Sequence, residues 1–212
     1  MRLVVASDTS MIDTRSSSAD SRTARVQEVA RASEDAQALA RLAGGDMAAL
    51  GELYDRHHAA VRGFLARTTG DADEAEDLVH ATFLAVPKAA ASFDPSRPCR
   101  AWLFGIAVRM MRRHRAAGAR WTRMLGRFRE VLSPSAGDPE RIVSARRDLS
   151  RVEEALYAMS EAKRLVLIMA EVEGMSCEQI AETLDIPVGT VWTRLHHARR
   201  GLTAAVAPKE PA

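Results

Sequence analysis

The sequence predicts an all-α protein of two small helical domains joined by a flexible linker, the C-terminal one a helix-turn-helix. Three observations carry this expectation. Of the 212 residues 47 % are hydrophobic but only 5 % aromatic, so the core has to be built from Leu, Val, Ile, Met and Ala, a composition that leans toward helices. Apolar residues recur at helical spacing, and no alternation of strand type runs for a useful length. Breakers gather at Ser133-Pro134-Ser135-Ala136-Gly137-Asp138-Pro139, where a linker between two units is expected.

Residues 1–34 are rich in Ser, Thr, Arg and Asp without a sustained apolar period, and a disordered N-terminal arm is expected there. A first domain is expected over residues 35–116. Its first helix has Asp46 as candidate N-cap and Gly70 as stop, with Leu50, Leu53, Tyr54, Val61, Phe64 and Leu65 between them. Asp71 and Glu74 open the next helix in a D-x-x-E pattern. Ala75, Leu78, Val79, Thr82, Phe83 and Val86 form its stripe, and Pro87 should end or kink it. A loop at 94–98 leads to a third helix bearing Trp102, Leu103, Phe104, Ile106, Val108, Met110 and Met111, which runs into Arg112-Arg113-His114-Arg115. Gly118 opens a linker expected over 117–139, with a short helix possible around Trp121–Phe128. The second domain is expected over 140–207, with helices near 140–158, 161–173, 176–184 and 188–205.

The net charge of +2 hides a strong segregation. From Pro95 to Arg129 there are ten arginines and no Asp, Glu or Lys, and from Asp71 to Asp77 there are five acids and no base. Such blocks suit an anion on one face and a basic partner on another. Cys99 and Cys177 form neither a metal-ligand spacing nor a disulfide framework, which fits a reducing cytoplasm. No apolar run is long enough for membrane insertion. Nucleophile elbow, phosphate loop, metal spacing and paired carboxylates with a base are all missing from the pattern. No enzyme, no cofactor and no metal site is therefore expected; Glu153-Glu154 and Glu171-x-Glu173 read as surface charge.

Near the C-terminus, Ser176 and Gln179 make an S-x-x-Q capping box, and Asp185-Ile186-Pro187-Val188-Gly189 a tight turn, with Pro187 as the stop. Val191, Leu195, Ala198 and Leu202 follow as one core stripe. At 100° per residue the opposite face holds Thr193, His196, His197 and Arg200, flanked by Thr190, Trp192, Arg194 and Arg199. No acid occurs from Val188 to Val206. Small polar groups near the start and guanidiniums further along equip a helix for the DNA major groove. Adjacent histidines point about 100° apart on a helix, so His196 and His197 are poorly placed to chelate together.

Two stretches of the N-terminal half, Ala75-Glu76-Asp77-Leu78-Val79-His80-Ala81-Thr82-Phe83-Leu84 and Arg100-Ala101-Trp102-Leu103-Phe104-Gly105-Ile106-Ala107, resemble the second conserved region of bacterial RNA polymerase sigma factors. The extracytoplasmic-function (ECF) class of the sigma-70 family is the nearest match. Glu171-Val172-Glu173-Gly174-Met175-Ser176, Gln179-Ile180-Ala181-Glu182 and Ile186-Pro187-Val188-Gly189-Thr190-Val191 resemble its fourth region, in the family's order and separation. The resemblance implies a sigma factor that binds core RNA polymerase and directs promoter recognition and transcription initiation. It implies that Glu76, Asp77, Leu78 and His80 dock on the polymerase. Arg109, Arg112, Arg113 and Arg115 would hold phosphates of the melted minus-10 DNA, and Thr190, Trp192, Thr193, Arg194, His197 and Arg200 would read the duplex minus-35 element. An anti-sigma factor is implied as a further partner. The sequence departs from the family's usual residues at His80, Pro87, Pro98-Cys99 and Trp192. A stand-alone helix-turn-helix regulator is the alternative reading; it leaves the Arg-rich third helix unexplained.

Overall fold

The structure, a computed structural model, describes residues 14–125 and 145–206. They form eight α-helices and one short 3₁₀ turn, with no strand among the described residues. The helices are α1 (Thr14–Ala43), α2 (Ala48–Thr69), α3 (Ala72–Ala89), α4 (Cys99–Leu125), α5 (Ala145–Ala158), α6 (Glu161–Glu171), α7 (Cys177–Leu184) and α8 (Val188–Val206); the 3₁₀ turn Ala90–Ser92 follows α3. The all-helical class expected from composition and period is the one found.

In the N-terminal module, α2 packs on α1, α3 and α4, and α3 lies against α4. Phe64 of α2 stacks on Phe104 of α4, centroids 4.4 Å apart and planes at 21°, and both rings are fully buried. Gly70 closes α2 in the left-handed conformation at φ 80°, its N–H donating to the Ala66 carbonyl. Asp71 then caps α3, its carboxylate accepting the N–H groups of Asp73 and Glu74 at 2.9 and 3.0 Å. Negative side chains at Asp73 and Glu74 complement the positive end of that helix. In the C-terminal module Leu165, Val166, Leu167, Ile168 and Met169 of α6 are buried, and α8 packs against α5, α6 and α7.

Several boundaries differ from those the sequence predicts, each for a local reason. Helix α1 begins at Thr14, where an arm without regular structure is expected. Residues 14–43 contain no Gly or Pro and many good helix formers, so propensity continues the helix well before an apolar stripe begins at Ala38. Met47, not Asp46, precedes α2, yet the Asp46 carboxylate still accepts the Ala48 N–H at 3.0 Å. Pro87 lies inside α3 and does not stop it; the helix ends at Ala89, within the last turn where one lost backbone bond matters least. Gly118 does not end α4 either. A lone glycine costs a helix only about 1 kcal/mol, and α4 carries on to Leu125 across part of the expected linker. Breakers at 133–139 and the start of the expected 140–158 helix lie outside the described residues.

The two modules touch. Helix α4 packs on α7 and α2 on α6, and the buried residues of both halves form one continuous core. One close approach is at Gly105, where a β-carbon would stand 3.2 Å from the Thr183 carbonyl oxygen. Gly70 faces the Tyr157 ring of α5 in the same way, with 2.6 Å from a would-be β-carbon to Cε1. Four arginines of the first module pair with acids of the second. Arg67 and Arg100 both reach Glu173, Arg115 reaches Glu161 at 2.5 Å and Arg97 reaches Glu182 at 3.2 Å.

Candidate nucleic-acid and protein interfaces

Helices α7 and α8 form the helix-turn-helix, and its sequence signals act as their chemistry dictates. Both halves of the capping box are made: Gln179 N–H donates to Ser176 Oγ at 3.3 Å, and Ser176 N–H donates to Gln179 Oε1 at 2.9 Å. The stop is not Pro187 itself. Asp185 takes a left-handed conformation at φ 53°, ψ 56°, its N–H and that of Ile186 returning to the last carbonyls of α7. Asp tolerates that region better than most side chains. Pro187 lies two residues on, where its carbonyl accepts the Thr190 N–H at 2.9 Å and starts α8.

Val191, Leu195 and Ala198 of α8 are buried and Leu202 is half-buried against the core, the predicted stripe. Thr193, His196, His197 and Arg200 are exposed on the outside, Trp192 is 58 % exposed, and Thr190 and Arg194 are half-buried on the flanks. Thr193 donates its hydroxyl to the Gly189 carbonyl at 2.9 Å. Arg199 is engaged with Glu171 at 2.6 Å. The His196 and His197 rings meet edge to face, 5.6 Å apart.

On α3, Glu76 pairs with Arg62 at 2.8 Å, while Asp77 and His80 are exposed. Leu78 corrects the expected docking set. It is 2 % exposed and belongs to the core stripe, because it stands one helical step from Asp77 on the inward side. The large apolar residue exposed on this helix is Leu84, 76 % exposed. The acidic block is partly spent internally, since Glu74 accepts from Arg115.

On α4, Arg109, Arg112 and Arg113 are exposed. Arg115 differs: it is half-buried and held by Glu74 and Glu161, so in this conformation it joins the modules rather than facing solvent. The loop before α4 is built on Asp94, whose carboxylate accepts the Ser96 N–H at 2.9 Å, and this bond holds its pKa below the ordinary value. Arg97 pins the same loop to Glu182 of α7. Trp102 is half-buried, edge-on to Phe93 at 5.3 Å, and acts as packing.

Two groups escape sequence reasoning. Glu173, expected as surface charge, has a fully buried side chain between Arg67 and Arg100. Its partners lie 106 and 73 residues away, so no local pattern signals them. The second is a cluster of Asp35, His57 and Cys99, whose ligand-type atoms all lie within 4.8 Å of one another. Burial, helped by the charge of Asp35, pushes the Cys99 thiol up to about 12. With Cys99 buried and Cys177 half-buried, a thiol reagent at pH 8 is expected to label Cys177 in the native chain and Cys99 only on unfolding. Equal native labelling in mass spectra would contradict this placement.

Residues 53–122 match the family described as Sigma-70 region 2, and residues 149–202 the family described as Sigma-70, region 4. The ECF RNA polymerase sigma factor SigL of Mycobacterium tuberculosis is 36 % identical over 168 residues, covering 77 % of this chain and 94 % of that protein. The RNA polymerase sigma factor CnrH of Cupriavidus metallidurans is 35 % identical over 182 residues, covering 81 % and 94 %. Among solved structures, CnrH in complex with the cytosolic domain of CnrY aligns at TM-score 0.56 with 32 % identity, over 81 % of this chain and 96 % of that one. The sigma factor RpoE of Bartonella quintana in complex with the anti-sigma factor NepR aligns at TM-score 0.58 with 25 % identity, over 74 % and 95 %. Two family matches in the order region 2 then region 4, on a chain whose described residues are helical and include a capped helix-turn-helix, together with 36 % identity to an ECF sigma factor, place this protein in the sigma-70 family of RNA polymerase sigma factors, in the ECF class.

Proposed function

We propose that the chain is the promoter-specificity subunit of a bacterial RNA polymerase, binding the core enzyme and directing transcription initiation without catalytic chemistry of its own. The pairing of a region 2 match with a region 4 match in one chain carries this reading; a lone helix-turn-helix regulator has no use for the first. Helix α8 supports minus-35 duplex recognition, because its outward face is one-signed and offers Thr193, His197 and Arg200. The exposed Arg109, Arg112 and Arg113 of α4 suit the phosphates of melted minus-10 DNA, and Asp77 with His80 on α3 suits a basic polymerase surface. In these terms residues 35–116 act as region 2 and 140–207 as region 4. An anti-sigma factor is a fitting further partner, since one aligned structure holds a sigma factor with the anti-sigma factor NepR, and the other holds CnrH with the cytosolic domain of CnrY. No helix among the described residues is long and apolar enough to cross a membrane.

The deciding experiment is run-off transcription with core polymerase, followed by mapping of the bound promoters. Purified chain that fails to bind core polymerase at all would end the proposal. Within it, Arg200→Ala is expected to weaken duplex binding across sequences and to lower the slope of log K against log salt by about 1, one phosphate contact's worth. An unchanged slope removes Arg200 from the DNA-facing set. Asp77→Arg is expected to impair core binding in a pull-down while leaving duplex binding by α8 unaltered; equal loss of both would mean the substitution acts through folding.

A further inference from the structure

We propose that Asp35, His57 and Cys99 form a binding site for a zinc-class divalent cation that staples α1 and α2 to the start of α4. The three residues come from three helices and converge within the N-terminal module, and none of them is among the DNA- and polymerase-facing side chains assigned above. Asp35 and Cys99 are buried and His57 is 14 % exposed, so the donors are shielded from bulk water. A carboxylate, an imidazole and a thiol are the donor types of zinc sites rather than of calcium or magnesium sites, which take oxygen alone.

The surrounding geometry is that of a supported site. Arg56 donates to Asp35 Oδ1 at 2.6 Å, which orients the carboxylate and leaves Oδ2 turned toward His57. That second oxygen lies 2.8 Å from His57 Nε2. A tetrahedral ion with ligands at about 2.0–2.3 Å needs donor separations of roughly 3.3–3.8 Å, so admitting one asks Oδ2 and Nε2 to part by about half an ångström, within reach of side-chain rotation. The charges balance on binding. A dication, the Asp35 carboxylate and the Cys99 thiolate sum to zero; His57 ligates as the neutral ring, and the thiol proton leaves to solvent. Arg56 keeps its own partners outside the site, Glu34 at 3.6 Å and Glu52 at 3.7 Å. A groove lined by Glu34, Gln37, Arg41, Glu52 and Arg56 shares that arginine. A fourth coordination position is left for water.

The test uses the full, tag-free chain, reduced and stripped of metal by a chelator, titrated with Co²⁺ and followed by optical absorption. The expected result is a thiolate-to-cobalt charge-transfer band with visible bands of four-coordinate cobalt, saturating at one equivalent and bleached by Zn²⁺. Cys99→Ser should remove the charge-transfer band, and Cys177→Ser should leave it intact. His57→Gln should weaken binding by more than the about 10–100-fold typical of losing an outer-shell partner. A band that never saturates, or one lost with Cys177→Ser instead, overturns the proposal. So does a spectrum without thiolate ligation. Should Cys99→Ser not fold, the unsubstituted chain decides the matter: Zn²⁺ and not Mg²⁺ should raise its melting temperature, and an unchanged melting temperature refutes the site.

Discussion

Phe64→Ala is expected to destabilise the protein by about 3–5 kcal/mol, the range for removing a fully buried aromatic side chain. Phe64 is completely buried and its ring stacks on Phe104 between α2 and α4. Truncation therefore removes both the burial of the ring and its stacking partner, and leaves a void among side chains already in place. Domains of this size have only about 5–15 kcal/mol of net stability, so the loss is a large share of it. Chemical denaturation should show a lower midpoint with an unchanged slope. Leu84→Ala, at a residue 76 % exposed, serves as the control and should shift stability by no more than about 0.5 kcal/mol. A Phe64→Ala cost below about 1 kcal/mol would show that this ring is not where the two helices are held.

Charge reversal at Glu173 is expected to separate the two modules. The Glu173 carboxylate is fully buried and both its oxygens are taken, one by Arg67 and one by Arg100. Glu173→Arg places a third cation beside two that have lost their counter-charge. A fully buried pair broken in this way costs about 3–5 kcal/mol. Here Arg67 and Arg100 are 41 % and 50 % exposed and regain water, so roughly 2 kcal/mol is a fairer figure. That shifts the balance of closed and open forms by about 30-fold. Small-angle scattering should report a larger radius of gyration, while helix content stays constant. An unchanged radius would mean that the apolar contacts of α4 with α7 and α2 with α6 suffice without the charges.

What was legible in the sequence was local. Gly70 ends α2, Asp71 caps α3, Ser176 and Gln179 close on each other, and Val191, Leu195 and Ala198 turn inward. Each of these depends on residues at most one or two turns apart. Exposure across α8 was equally readable, because a stripe of apolar residues determines which face is left over. The misses depend on distant neighbours or on costs too small to overrule a helix. Leu78 was placed with the docking residues because it sits between Asp77 and His80 in the motif, though a helix turns it inward. Arg115 belongs to an arginine run, but Glu161, 46 residues on, claims it. Pro87 and Gly118 are breakers by type, and each is tolerated where it stands, one in a last turn and one alone in a long helix. Asp35, His57 and Cys99 span 64 positions of sequence, and no spacing rule connects them.

The glycine at position 105 gives selection an inexpensive dial. With a would-be β-carbon 3.2 Å from a backbone oxygen of the neighbouring helix, one added methyl group asks α7 to yield by a few tenths of an ångström, and a larger side chain asks for more. A graded series at this position would tune how closely α4 seats on α7, and would brush the Arg109 guanidinium, whose Nη1 stands 3.7 Å from the would-be β-carbon. The grip between the two modules is thus set by the volume of a single side chain, a quantity that point substitution can change in small steps.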